Sequence, residues 1–149
     1  MNINKYVVLA LVALGVMYIT NNDIIHAQAP RMLTMGEICP QGSPTEITCK
    51  IRQAFPEEPE IMIAIAMAES NLNNNAINWN CHYEGKSRSC AKGDRGRAWS
   101  TDGGLFQIHK ATKEQMTLDG NIKEARKKYD TQGKKAWTVW NTGAYKKYL

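Results

Sequence analysis

The segment IMIAIAMAES, Ile61–Ser70, follows eight consecutive apolar residues with a single acid, Glu69. An acid behind an apolar run is desolvated, and a helix C-terminus adds partial negative charge; both disfavour its ionised form. A carboxyl held neutral near neutral pH is a general acid that can protonate a leaving oxygen. Further along, STDGGLFQIH places Asp102 behind Ser100 and Thr101, small hydroxyl residues that keep a carboxylate hydrated and charged. Gly103 and Gly104 would let a ligand come close to the backbone. Gln107 brings a donor and an acceptor into an apolar stretch, Leu105–Ile108, that reads as a short strand. One neutral acid and one charged carboxylate form the asymmetry that glycoside cleavage uses on either side of an oxocarbenium-like centre. Each residue also has a plainer reading. Glu69 could be the first solvent-facing residue after its helix, and Asp102 a turn residue before Gly-Gly.

These groups need elements to position them. Ile47, Ile51 and Phe55 share one face of a helix over TEITCKIRQAF, with Ser43 or Thr45 as its cap. PEEPE then opens the helix that carries Glu69, from about Pro59 to Ser70. Its proline and acids suit a first turn, so Glu57, Glu58 and Glu60 are structural rather than catalytic candidates. Being apolar on all sides, this helix is expected at the centre of the core. From Asn71 to Ser100 the chain is polar and rich in Asn, Gly and Ser, which reads as loops or a hairpin pinned by a disulfide. ATKEQM, NIKEARKKYDTQG and KAWTVWNTGAYKKYL read as three further helices, the second stopping at Gly133. The fold class is mainly α, of α+β type, with a small β or loop insert between helices.

The 149 residues suit one domain behind a removable start. MNINK, an apolar run from Tyr6 to Ile19 and small residues at Ala27 and Ala29 have the layout of a signal peptide over 1–29. An uncleaved membrane anchor is the alternative, although the run is short for a span. The expected location is therefore outside the cytoplasm, secreted or periplasmic. Residues 30–44 read as an N-terminal arm, and 45–149 as the folded domain. Cys39, Cys49, Cys81 and Cys90 form an even set in a short exported chain, which reads as two disulfides. Of three possible pairings, Cys39–Cys49 and Cys81–Cys90 are favoured because each closes a short local loop. The close spacings of a zinc site are missing, so neither a metal nor another cofactor is expected. Nineteen basic residues against fourteen acidic ones draw an exported chain to polyanions such as cell wall. Nucleic acid is not an expected partner, given the export signal.

AMAESNLNNNAIN, STDGGLFQI and AWTVWNTGAYKKYL together resemble the three signature blocks of the lysozyme-like superfamily. The closest likeness is to the soluble lytic transglycosylase type of domain, including small secreted members that serve secretion and conjugation machines. The resemblance covers about Thr45 to Leu149 and implies a lysozyme-like fold with a sugar cleft. It implies cleavage of the β-1,4 bond between N-acetylmuramic acid and N-acetylglucosamine, with peptidoglycan strands as the partner and a secretion or conjugation apparatus as a further one. It assigns Glu69 as the acid, which in a transglycosylase then acts as base while the sugar's 6-hydroxyl attacks. Asp102 falls where animal-type lysozymes carry their second carboxylate, which leaves a muramidase as the alternative. A non-catalytic wall-binding module is the alternative of another class. Sugar contacts are implied for Ser70, Ser100, Gly104, Leu105, Phe106, Gln107, Asn141 and Tyr145.

The chain departs from the family pattern in two places. Trp140 stands where a tyrosine is usual, and Tyr145 could take over that hydroxyl. The stretch between Glu69 and Asp102 is longer than the family leads one to expect, and the excess holds Cys81, Cys90 and a basic cluster. Trp79, Tyr83 and Trp99 lie in that stretch, as sugar-stacking rings or as a mini-core around the disulfide loop. Trp137 and Trp140 read as core. Lys127, Lys128, Lys146 and Lys147 read as a solvated face.

Overall fold

A computed structural model describes residues 39–149 apart from Pro44. The segment expected to be a signal peptide, 1–29, and most of the expected N-terminal arm, 30–44, lie outside the described residues. Helix α1, Glu46–Ala54, follows Thr45, whose side chain makes no capping bond. Helix α2, Pro59–Ser70, begins with its proline and ends at Asn71 in the left-handed conformation. Four strands follow: β1 (Ile77–Tyr83), β2 (Lys86–Ser89), β3 (Ser100–Gly103) and β4 (Ile108–His109). Helix α3 spans Leu118–Gln132 and the one-turn helix α4 spans Thr138–Asn141, with 3-10 turns at Gly133–Ala136 and Ala144–Tyr148.

The core lies between the helices. Ile51, Phe55, Met62, Ala64, Ile65, Ala66, Leu105 and Phe106 are all fully buried. Helix α2 is apolar on every side because it meets α1 on one flank and the C-terminal turns on another. The acids at its start are structural. Arg126 of α3 pairs with Glu57 and Asp130 and donates to the Ala54 carbonyl. Glu58 accepts from Lys134 and from the Tyr129 hydroxyl, which holds its carboxyl below the usual range.

The polar segment folds into an antiparallel sheet in the order β2-β1-β3-β4. Strands β1 and β2 form a hairpin whose turn residues, Glu84 and Gly85, have φ of 52° and 75°. Positive φ at both positions marks the turn that fits the natural strand twist. The disulfides are Cys39–Cys49 and Cys81–Cys90. Among the described residues no helix is long and apolar enough to cross a membrane.

Three expected elements differ. ATKEQM is not a helix: Thr112 and Gln115 exchange side chain and backbone hydrogen bonds, and the turn closes there. The next carbonyls are taken from outside, Gln115 O by Asn121 and Met116 O by Asn74. Helix α3 therefore starts at Leu118, three residues before the expected Asn121, with the Thr117 hydroxyl accepting from the Gly120 N–H. The C-terminal block is one short helix and 3-10 turns, broken at Gly143 (φ 75°). The expected strand Leu105–Ile108 is instead a turn up to Gln107, which has φ of 48°, and of that stretch only Ile108 belongs to β4.

Candidate active site

Glu69 sits in the last turn of α2 and lines a cavity of about 240 Å³ with Asp102, Gln107, His109, Lys128 and Val139. Burial pushes its carboxyl up to about 7. The negative charge of Asp102 adds to the rise, while a hydrogen bond from the Val139 N–H opposes it. A carboxyl with that affinity holds its proton near neutral pH and can still give it up, as a group that serves first as acid and then as base must do.

Asp102 comes from β3, paired with Asn78 of β1 and His109 of β4. One carboxylate oxygen accepts from Asn80 Nδ2 at 2.9 Å. The other lies 2.8 Å from His109 Nδ1. Neither Asn80 nor His109 stood out in the sequence. Alternation along β1 places Asn78 and Asn80 on one face, but only the pairing with β3 shows that this face carries the aspartate.

The turn after β3 is held by Asn121, which is fully buried in α3. Its Oδ1 accepts from Phe106 N at 2.8 Å, and its Nδ2 donates to Gly103 O at 3.0 Å and to Gln115 O at 2.8 Å. A buried asparagine with its donors and acceptor engaged fixes the backbone around it. The glycine pair takes its meaning from this. Gly104 has φ of 77°, and a Cβ there would overlap the Asn121 amide; one at Gly103 would overlap Met116 Sδ. Protein side chains, not a ligand, are what approach these glycines closely.

The other sugar-contact candidates divide into groups. Leu105 and Phe106 have buried side chains, and their carbonyls accept from Ser70 Oγ and Trp137 Nε1 respectively. Ser70 thus links the end of α2 to the turn. Ser100 is buried beside Asn80. Gln107 lines the cavity, with Nε2 donating to Gly104 O at 2.9 Å. Asn141 and Tyr145 do not line the Glu69 cavity. They belong to a separate recess of about 400 Å³, where Tyr145 stacks on Trp140 with ring centres 4.6 Å apart. Lys128, expected only on a solvated face, lines the Glu69 cavity. Tyr83 bonds Asp94 and the Ala91 N–H and so packs the disulfide loop, whereas Trp99 is 45% exposed and stacks on His82. Among the described residues no group of acidic, His and Cys side chains could hold a metal ion.

A helical frame with a small antiparallel sheet, and a half-buried acid sharing an open cavity with a second carboxylate, define a lysozyme-like domain of the glycosidase type. The family model of the transglycosylase SLT domain matches residues 47–137, and the chain belongs to that family, whose members are peptidoglycan-cleaving enzymes. The match runs from α1 to Trp137 and stops before the Trp140–Tyr145 block. Comparisons with curated proteins and with solved structures gave no match.

Proposed function

We propose that the protein is a lytic transglycosylase acting on the β-1,4 bond between N-acetylmuramic acid and N-acetylglucosamine, with Glu69 as its acid and base. The observation that carries this is the Glu69 carboxyl, raised to about 7 by burial yet open to a cavity. In the first step the Glu69 proton goes to the glycosidic oxygen as the bond from C1 of the muramyl residue breaks. The positive charge that grows on the ring faces the negative Asp102. In the second step the Glu69 carboxylate takes the proton of the same sugar's 6-hydroxyl while that oxygen bonds to C1. The product is a 1,6-anhydro end, and no water is consumed.

Asp102 in the same cavity favours a second reading, a muramidase in which water takes the place of the 6-hydroxyl. Digestion of purified peptidoglycan followed by mass spectrometry separates the two. Anhydro ends are expected; reducing ends would replace the first reading with the second. No release of fragments by the wild-type protein would overturn both. The expected signal peptide supports export and the basic balance supports attraction to the wall, with a secretion or conjugation apparatus as a further proposed partner.

A further inference from the structure

Asp102 is not an isolated carboxylate. It faces His109 directly across the β3–β4 pair, with Nδ1 and Oδ1 2.8 Å apart, and both residues line the cavity that holds Glu69. We propose that His109 is a positioning residue that fixes Asp102 and makes the charge opposite the reacting sugar depend on pH. This rests on the reading that Asp102 supports the cleavage.

With the ring neutral, Nδ1–H donates to Oδ1 and the pair carries one negative charge. A second proton, on Nε2, turns the pair into an imidazolium–carboxylate with no net charge. The developing oxocarbenium then loses its counter-charge. The imidazole is the one ring in this clamp that can take up that proton, and the 2.8 Å contact couples it directly to the carboxylate. Asp102 on β3 contacts the ring, Glu69 on α2 and Lys128 on α3 line the same cavity, and Lys110 is adjacent in the chain. Trp99 lies against the ring with centres 5.7 Å apart, and His82 of β1 stacks on the far partner, Trp99. Asn80 holds the other oxygen of Asp102 and does not titrate. His109 is therefore the member of the clamp that converts a proton into a change of charge.

Two protonations then bound the activity. The rate falls as His109 gains a proton on the acid side and as Glu69 loses one on the alkaline side, which gives a bell. The test measures peptidoglycan cleavage from pH 5 to 9 for wild type, His109→Ala, His109→Asn and Asp102→Asn, with thermal unfolding of each. His109→Ala should lose about tenfold or more in kcat with KM nearly unchanged, less than the upper range for removing a proton-transfer group itself. His109→Asn, which keeps a donor but cannot titrate, should restore most of that loss, and its rate should persist about one pH unit further into acid. Nitrogen NMR of the wild-type ring should show the neutral form protonated on Nδ1.

A His109→Ala rate equal to wild type, coincident acid limbs for wild type and His109→Asn, or a neutral ring protonated on Nε2 would each overturn the proposal. If His109→Ala unfolds, the acid limb of His109→Asn and the ring tautomer decide alone. Asp102→Asn at the wild-type rate would instead remove the reading beneath it; a slow Asp102→Asn beside a normal His109→Ala would remove only the role of His109.

Discussion

The hydroxyl of Ser70 donates to the carbonyl of Leu105 across 2.9 Å and also lies 3.1 Å from the Ala66 carbonyl. Ser70 follows Glu69, and Leu105 begins the turn that leaves β3 soon after Asp102. One short side chain thus joins the end of the buried helix to the sheet that carries the second carboxylate. The bond fixes how far the two acids can drift apart.

Ser70→Ala removes that link and leaves the Leu105 carbonyl without its donor. The expected cost is about 1–2 kcal/mol, the scale of a lost hydrogen bond with an unsatisfied partner. Urea unfolding would measure it. The rate of wall cleavage should fall by more than the small loss of folded protein explains.

Glu69→Gln should reduce cleavage at least ~100-fold, the lower range for a general acid. Its effect on stability runs the other way. Burial holds the Glu69 carboxyl at about 7 in the fold, above the 4.5 of a free glutamate. Its protonated form is thus the one the fold favours, and that contribution is complete below 4.5 and is lost as pH rises through about 7. The variant cannot ionise, so it should be more stable than wild type at pH 8 and gain little at pH 4. Thermal unfolding at the two pH values checks the sign. The alkaline limb of wild-type activity should also lie near pH 7, the value at which the acid loses its proton.

Asn121→Ala leaves Phe106 N, Gly103 O and Gln115 O without the partner they share. A loss of about 2–4 kcal/mol is expected, because buried unsatisfied groups keep their full desolvation cost. Gly104→Ala should cost a similar amount, about 2–3 kcal/mol, through positive φ and overlap with the same amide. Chemical denaturation measures both. The two effects should not add, since either change displaces the same contact.

Reduction of each disulfide should cost about 2–3 kcal/mol, the usual scale for a short closed loop. Replacing Cys81 and Cys90 by Ser should loosen the β1–β2 hairpin first, while the same change at Cys39 and Cys49 acts on the start of α1. Hydrogen exchange of the hairpin amides would separate the two.

Helices α1 and α2, the stop of α3 at Gly133 and the local pairing of cysteines could all be read from the chain, because each depends on neighbours within a few turns. Glu69 stood out for the same reason: an acid behind eight apolar residues is a local contradiction. ATKEQM misled because Thr112 and Gln115 form a helix-start pattern that the fold closes instead of extending. Asn121 carried no signal beyond opening an expected helix, yet it is fully buried and holds the turn under the site. The Gly-Gly pair suggested room for a ligand, and Asn121 and Met116 fill that room.

The sequence by itself determined the buried helix, the acid at its end and the polar stretch that had to leave the core. Only the tertiary structure decided what Asp102 would face. The β3–β4 register sets His109 against it and the β1–β3 pairing brings Asn80 alongside. Strand register decides which side chains meet across a sheet: His109 is only seven residues from Asp102 but faces it only once the intervening turn closes, and Asn80 lies twenty-two residues away on another strand.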